Sequence, residues 1–196
     1  KATISELKKI NQEENVKACR ETAPIFKGGP LTAIISVGSK CNLRCQMCFR
    51  TVNKIKGTNM PWAIFEKTFE ILPTLQRVKL IGAGEPYLNT DYFKMLEVVK
   101  KFDLVTETVS NGTLISDEIA KKIVLSGLGS LCISLDGAKA TTYESIRRGA
   151  KFDNVIEGIK RINKYKNEFG SSTPVLGFST VIMRRNIDEL TSVIEL

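Results

Sequence analysis

Three cysteines, Cys41, Cys45 and Cys48, stand in one short stretch at the spacing C-x3-C-x2-C. They follow an apolar, strand-like run and Gly38, so they would lie in the loop that leaves a strand. Three thiolates that converge from one loop can hold three irons of a [4Fe–4S] cube, because such clusters are bound by cysteine thiolates. No fourth ligand follows locally. One iron would then be open to a small molecule, as a catalytic zinc keeps an open position.

The same thiols could instead form a four-cysteine zinc site, with Cys19 or Cys132 as the fourth ligand, or they could be disulfide-bonded or simply buried. Zinc ligands usually occur as C-x2-4-C pairs that repeat along a chain. Here one triplet stands without a second pair, and the chain has no histidine. The spacing therefore favours an iron–sulfur cluster, with a zinc-stabilised binding module as the alternative of another class.

The cysteine triplet, with the aromatic Phe49 directly after it, resembles the core motif of the radical S-adenosylmethionine (radical SAM) superfamily. In that family the open iron is chelated by the amino and carboxylate groups of S-adenosylmethionine. A reduced cluster then cleaves the S–C5′ bond, and the 5′-deoxyadenosyl radical takes a hydrogen atom from the substrate. The resemblance implies both cofactors, Phe49 as a cofactor contact, and a one-electron reductant resembling flavodoxin or ferredoxin as a partner.

A second motif, Gly82-Ala83-Gly84-Glu85-Pro86, follows the next predicted strand. By itself it is also consistent with an ordinary turn. It resembles the family's G-G-E-P motif, with Ala83 in place of a glycine. The resemblance implies that Gly84 and Glu85 contact the amino group of S-adenosylmethionine, since a carboxylate pairs with an amine by a charge-assisted hydrogen bond.

Polar residues also follow the third and fourth predicted strands. Ser110 and Asn111 resemble the start of the family's T-N-G turn, although Asn-Gly turn chemistry explains them equally well. Ser134 and Asp136 are short polar residues that can bond a ribose diol. The resemblance assigns these two to the ribose or to the substrate.

The segment 143–153 resembles the I-R-G-x-x-F segment of radical enzymes that carry a C-terminal SPASM or twitch domain. Arg148 aligns with its arginine, and an arginine fork can hold the carboxylate of S-adenosylmethionine at two points. This branch implies modification of a peptide, protein or natural product, with auxiliary clusters beyond Leu196. The alternative within the superfamily is a small-molecule cyclase or isomerase of the molybdenum-cofactor type.

The elements that must position these loops alternate between short apolar strands and amphipathic helices. Strands are predicted at 31–37, 77–81, 105–109, 130–135 and 175–182. Helices are predicted at 61–72, 91–101, 117–127 and 154–166, and a last helix is predicted to begin after Asn186. The predicted N-caps of the second and fourth helices are Thr90 and Asp153, and the third helix is predicted to begin after Ser116. Glu189 would complete a capping box at the last helix.

Strand–helix alternation predicts parallel βα units. The polar motifs fall at the ends of successive strands, where barrel active sites are built. No G-x-G-x-x-G sequence opens a helix after a strand. We therefore expect an α/β fold in the form of a partial (β/α)6-type TIM-like barrel with parallel strands.

The chain has 196 residues. Residues 1–30 are predicted to form a helical extension and linker, and residues 31–196 the catalytic core. Five strands are too few for a closed eight-fold barrel, so we expect a partial barrel and a core that is incomplete at its carboxyl end.

Composition is ordinary for a soluble globular protein, with 42% hydrophobic and 26% charged residues. No apolar run could span a membrane, no secretory signal opens the chain, and three of the five cysteines fall within eight residues. We expect a reduced, cytoplasmic compartment. The net charge of +8 is spread along predicted helix faces and does not favour nucleic acid. The lack of histidine excludes a histidine general base.

Overall fold

Five strands form one parallel sheet in the computed structural model, which describes residues 3–196. The strands are β1 (Thr32–Ser36), β2 (Arg77–Ile81), β3 (Val105–Ser110), β4 (Ser130–Ser134) and β5 (Val175–Ser179). The helices are α1 (Ile4–Arg20), α2 (Phe49–Val52), α3 (Trp62–Ile71), α4 (Tyr92–Lys101), α5 (Asp117–Leu125), α6 (Ala140–Ile146), α7 (Phe152–Glu168) and α8 (Leu190–Ile194), with 3-10 turns at Pro86–Leu88 and Ile187–Glu189.

The strands lie in the sheet in chain order, β1-β2-β3-β4-β5, and every neighbouring pair is parallel. A sheet in chain order has no point at which the winding reverses, so right-handed crossovers place successive helices on the same face. This is the winding of a barrel and not of a doubly wound sheet. The sheet is open, with β1 and β5 at its edges. The predicted partial TIM-like barrel is confirmed.

Alternating side chains on each strand divide the sheet into two faces. Val78, Leu80, Leu131 and Ile133 are fully buried in the main hydrophobic core of the domain. On the opposite, concave face, Ile34 is 67% exposed. The carboxyl ends of all five strands meet at one edge of the sheet, and the loops that carry the predicted site leave from this edge.

Two predicted helix caps are wrong, although the helices themselves are present. Asp91 and not Thr90 is the N-cap of α4, and Lys151 and not Asp153 is the N-cap of α7. Neither N-cap residue makes a side-chain capping bond. Ser116 does cap α5, because its hydroxyl accepts a hydrogen bond from the Ile119 N–H. Helices α2 and α6 were not predicted.

The predicted capping box of Asn186 and Glu189 is also wrong. Asn186 makes no side-chain cap there, and the chain first forms a 3-10 turn. Glu189 instead accepts hydrogen bonds from the Ala138 N–H at 2.9 Å and the Thr142 hydroxyl at 2.6 Å. Its carboxylate therefore lies at the N-terminus of α6, where helix backbone N–H groups favour negative charge.

Helix α1 begins with a capping box, in which Thr3 and Glu6 exchange hydrogen bonds. The Lys8 ammonium donates to the carbonyl of Phe102 at 2.7 Å, just before β3. This contact places α1 at the amino ends of the strands, away from the predicted site. Residues 1 and 2 of the predicted extension lie outside the described residues. No helix among residues 3–196 is long and apolar enough to cross a membrane.

Candidate active site

The cysteine loop is anchored by backbone hydrogen bonds from the connection between α6 and α7. The Arg44 N–H donates to the carbonyl of Arg148 at 2.9 Å, and the Gln46 N–H donates to the carbonyl of Ile146 at 3.0 Å. Both donors lie between the first and last cysteines of the motif. The predicted I-R-G-like segment therefore holds the cysteine loop through its backbone.

The loop after β2 contacts the cysteine loop from the other side. The Glu85 N–H donates to the carbonyl of Lys40 at 2.7 Å. A Cβ atom on Gly84 would lie 2.1 Å from that same carbonyl oxygen, and one on Gly82 would lie 2.2 Å from the carbonyl oxygen of Gly38. Two of the three small residues in the Gly-Ala-Gly sequence are thus required for this close approach of two backbones.

The three cysteines line one cavity of about 350 Å³ at the carboxyl edge of the sheet. Predicted site residues and residues of the concave face complete its wall. The lining residues are Cys41, Leu43, Cys45, Met47, Cys48, Phe49, Ile81, Gly82, Ala83, Gly84, Glu85, Val109, Ser110, Asn111, Ser134 and Arg147. A larger cavity of about 590 Å³ lies along α1, but it is lined mostly by polar and charged residues of that helix and its C-cap, and none of the motifs reaches it.

The arrangement of the thiols fits a cluster better than a single ion. Among residues 3–196, no three His, Cys, Asp or Glu side chains converge closely enough to share one metal ion. A structural zinc needs four ligands around one point, and the described side chains are not gathered in that way. A [4Fe–4S] cube binds each thiolate at a different iron. Its ligands need only line one cavity, as these three do.

Polar contacts and burial differ among the three thiols. The Asn111 side-chain amide donates to the Cys41 sulfur at 3.9 Å and to the Asn42 side-chain oxygen at 3.0 Å. Burial raises the pKa of the Cys45 thiol, and the nearby Arg147 guanidinium opposes that shift. A bound metal favours thiolate over thiol, so occupancy by a cluster would overcome this burial effect.

Glu85 is 4% exposed and lines the cavity with its carboxylate held in place. One carboxylate oxygen accepts from the Ser110 hydroxyl and the other from the Asn111 N–H, each at 2.7 Å. Burial raises the pKa of Glu85 to about 7, against these hydrogen bonds and the charge of Arg147, which lower it. Each oxygen retains acceptor capacity. Glu85 can therefore receive a cationic donor in the cavity.

Arg147, which the sequence analysis did not select, is the arginine that lines the cavity. Its side chain is buried, whereas Arg148 is exposed and is not among the lining residues. The Arg147 Nε lies 2.7 Å from a carboxylate oxygen of Asp136. Neither atom has a hydrogen-bond partner of good geometry among residues 3–196, so their contact is an ion pair without an aligned hydrogen bond.

Asp136 supports this arginine and is not open to a ribose. It is fully buried, and its other carboxylate oxygen accepts from the Val181 N–H at 2.8 Å. The expectation that Asp136 contacts the cofactor directly therefore does not match the structure, because both oxygens face protein groups. Apart from Arg148, the other predicted contacts do line the cavity. These are Phe49, Gly84, Glu85, Ser110, Asn111 and Ser134.

The sequence had one weak signal for Arg147. Two arginines precede Gly149, and the motif alignment selects the second by its distance from the glycine. Neighbouring residues in an irregular turn point in different directions, so sequence alone cannot choose between them. The apolar lining residues Ile81 and Val109 could have been predicted, since strand alternation places them on the concave face next to the loops.

One protein family matches most of the chain. The model of the Radical SAM superfamily matches residues 35–196. Among curated proteins, the chain is 30% identical over 160 residues to the tungsten-containing aldehyde ferredoxin oxidoreductase cofactor-modifying protein of Pyrococcus furiosus, covering 80% of this chain and 45% of that protein. It is 30% identical over 173 residues to the probable GTP 3′,8-cyclase of Thermococcus kodakarensis, covering 86% of this chain and 53% of that protein.

Solved structures show the same fold. The crystal structure of Streptococcus suis SuiB bound to the precursor peptide SuiA matches with a TM-score of 0.72 and 18% identity, covering 94% of this chain and 39% of that chain. At this identity the match establishes the fold alone. The present chain spans about half the length, or less, of these relatives.

Proposed function

This chain belongs to the radical SAM superfamily, and we propose that its cavity binds a [4Fe–4S] cluster through Cys41, Cys45 and Cys48 with S-adenosylmethionine beside it. The superfamily uses these two cofactors. One observation carries the proposal: three thiols, a buried carboxylate and a buried guanidinium line a single cavity at the carboxyl edge of the sheet. Residues 31–196 would then form the catalytic core, with residues 1–30 as an extension.

Each end of the amino-acid part of S-adenosylmethionine has a charged partner in the cavity. The Glu85 carboxylate would accept a hydrogen bond from its ammonium group. The Arg147 guanidinium would bind its carboxylate, in place of the Arg148 that the motif alignment selects. Asp136 would fix the orientation of Arg147 through their ion pair. Ser110 and Asn111 would hold Glu85 through the hydrogen bonds they donate to it.

The remaining lining residues would position the nucleoside. Ser134 lies half-buried at the end of β4, where its hydroxyl can bond the ribose. Phe49 lies at the start of α2 and offers a partly exposed ring. When both cofactors are bound, they supply reductive cleavage of the S–C5′ bond and hydrogen-atom abstraction from a substrate. Ile81 and Val109 would give the substrate side of the cavity an apolar wall.

For the substrate we propose a peptide or protein. SuiB, which shares this fold, is described with a bound precursor peptide, and segment 143–153 resembles that of SPASM-containing enzymes. The second candidate is a small molecule, because the chain is similar to a probable GTP 3′,8-cyclase over most of its length. In either case we propose that the partner is a protein that donates one electron. We also propose that the protein is located in the cytoplasm.

Anaerobic reconstitution tests the cofactor proposal directly. The protein is incubated with iron and sulfide, then with dithionite and S-adenosylmethionine, and 5′-deoxyadenosine is measured together with bound iron. We expect about four irons per chain and formation of 5′-deoxyadenosine. Tight zinc binding without a cluster would contradict the proposal.

Cysteine variants sharpen this test. Cys45→Ser should lose both the iron and the formation of 5′-deoxyadenosine, because one thiolate ligand is gone. Cys132→Ser is the matched control: Cys132 lies on β4 and does not line the cavity, so iron and cleavage should stay within about twofold of wild type. Loss of the metal in Cys132→Ser and its retention in Cys45→Ser would place the metal elsewhere.

A further inference from the structure

A second cavity, of about 500 Å³, opens beside the cysteine loop, and its wall is strongly basic. Arg44, Arg50 and Lys54 line it, together with Thr51 and apolar residues. Arg44 and Lys54 are exposed, and Arg50 is half-buried. The positive charge at this opening therefore faces solvent.

The surrounding sequence adds cations and no anions. Between Gly38 and Phe65 the chain contains five basic residues and no Asp or Glu. We call these five the basic face: Lys40, Arg44, Arg50, Lys54 and Lys56. Within residues 3–196, none of the five forms an ion pair. Their charge is thus not neutralised by the described part of the protein.

Apolar side chains lie between these cations. Val52, the last residue of α2, is 69% exposed, and Ile55 is 39% exposed and lines the basic cavity. An apolar centre with a charged rim is the usual composition of a protein–protein interface. The small extent of this patch suits a weak and transient complex, such as those of electron-transfer proteins.

The basic face is close to the thiols of the cofactor cavity. Cys41 and Leu43 line both cavities, so they form the wall between them. A redox partner seated on the basic face would be separated from the cluster by little more than the cysteine loop. The rate of electron tunnelling falls steeply with distance. A donor docked on the basic face would therefore transfer its electron faster than one docked further from the thiols.

We propose that the basic face is the docking surface for a small acidic protein that donates one electron. The inference rests on the proposed function, because it requires a cluster on the three cysteines. In each transfer the donor is oxidised by one electron and the cluster is reduced by that electron. Opposite charges steer such a partner and raise its association rate, and added salt weakens the effect. Nucleic acid would also be attracted to cations, but nothing in its chemistry calls for a position beside the thiols.

The test uses the reconstituted protein and a reduced flavodoxin as the acidic probe. The variant carries Lys54→Glu and Lys56→Glu, two exposed positions outside the cysteine motif. The control carries Lys9→Glu and Lys17→Glu, two exposed cations of α1 at the opposite end of the strands. Both variants change the net charge by the same amount, so a difference between them reports location and not total charge.

We expect flavodoxin to bind the wild type and the control with similar affinity at low salt, and the basic-face variant at least about tenfold more weakly. Cluster reduction by flavodoxin, followed by stopped-flow absorbance, should slow by a similar factor. Equal binding by the two variants, or binding that is insensitive to salt, would overturn the proposal. So would a short RNA duplex that needs the basic face for binding while flavodoxin does not.

Dithionite separates this proposal from the cofactor proposal. It is a small reductant that needs no docking surface, so 5′-deoxyadenosine formation with dithionite should be unchanged in the basic-face variant. If dithionite drives cleavage in wild type but the basic face proves irrelevant to flavodoxin, only the docking inference fails. If no cluster forms in wild type, the proposed function fails and the docking inference fails with it.

Discussion

At the scale of single residues, the site combines charged groups that the fold keeps out of water. Glu85 is almost fully buried, yet both of its oxygens accept hydrogen bonds from Ser110 and Asn111. Arg147 is buried beside the fully buried Asp136. Buried charges of this kind are costly unless they are paired, and strongly perturbed groups cluster at functional sites. The pairing therefore supports a role for Glu85 and Arg147 in binding a zwitterionic ligand.

The raised pKa of Glu85 predicts a pH-dependent stability in the cofactor-free protein. Folding raises this pKa from 4.5 to about 7, so the folded state holds a proton that the unfolded state releases between these values. The free energy of unfolding should therefore fall by about 2 kcal/mol as pH rises from about 5 to 7, and level off above pH 8. Urea denaturation under anaerobic conditions measures this profile.

The Glu85→Gln variant should flatten that profile, because it removes the titrating group. Glu118→Gln is the control: Glu118 is exposed on α5, and its removal should leave the slope between pH 5 and 7 intact. The same slope in Glu85→Gln and in wild type would show that Glu85 is not the group that titrates in this interval.

At the scale of elements, loops from different βα units hold one another in place. The cysteine loop donates backbone hydrogen bonds to the end of α6 and the α6–α7 connection, and it accepts one from the loop after β2. Asn42 donates from this loop to the Thr113 hydroxyl at 2.8 Å, which ties it to the loop after β3 as well. The three cysteines are thus positioned by three neighbouring units, and a change in any of those loops should be detectable at the cluster.

Gly84→Ala tests the close contact between two of these loops. The added methyl group would meet the Lys40 carbonyl oxygen at 2.1 Å and the backbone of Ser39 at 2.7 Å, so the backbones must separate. We expect a loss of about 1–3 kcal/mol in stability and a cluster content well below that of wild type. Thermal unfolding and iron and sulfide analysis measure the two effects.

The control for this substitution is Ala83→Gly in the same loop. It removes a methyl group instead of adding one, so it should leave the cluster content near wild type. Full iron loading in Gly84→Ala would mean that the two loops can part without moving the cysteines, and that their contact is not needed for the site.

At the scale of the whole molecule, the two edges of the sheet contact different parts of the protein. The carboxyl edge carries the cofactor cavity, while the amino edge receives α1. Between them the concave face changes from apolar near the cavity, at Ile81 and Val109, to charged further along the strands, where Lys79 and Glu107 form an ion pair at 2.8 Å. We therefore expect that a substitution at the amino edge can lower the free energy of unfolding without changing cofactor cleavage at the carboxyl edge.

Asn11→Ala tests this separation. Asn11 is buried on α1, and its side chain accepts from the Gly29 N–H at 2.5 Å and donates to the Gly29 carbonyl at 3.2 Å. The Gly29 N–H would lose its acceptor, while the Gly29 carbonyl keeps the hydrogen bond that Asn15 donates at 3.1 Å. The unpaired N–H should lower the free energy of unfolding by about 1–3 kcal/mol. The 5′-deoxyadenosine formed per bound cluster should be unchanged below the unfolding transition. Lys9→Ala, an exposed change on the same helix, should affect neither quantity. Impaired cleavage in folded Asn11→Ala would instead show that the two edges are coupled.

The sequence by itself determined the features that depend on local pattern. The cysteine spacing and the loops after successive strands follow from residues that are neighbours in the chain. The strand at Arg77–Ile81 was likewise predicted to the residue from its own apolar pattern. The polar motifs at the ends of successive strands, together with the lack of a G-x-G-x-x-G sequence, favoured a barrel over a doubly wound sheet.

Only the tertiary structure decided which side chains enter the cavity. It selected Arg147 over Arg148, turned Asp136 towards that arginine and Val181, and placed Glu189 at the N-terminus of α6 rather than in a capping box. Each of these outcomes joins residues from separate units of the chain. The direction of a side chain in a turn depends on the charges and packing that it meets there, and those partners are brought together only when the sheet has formed.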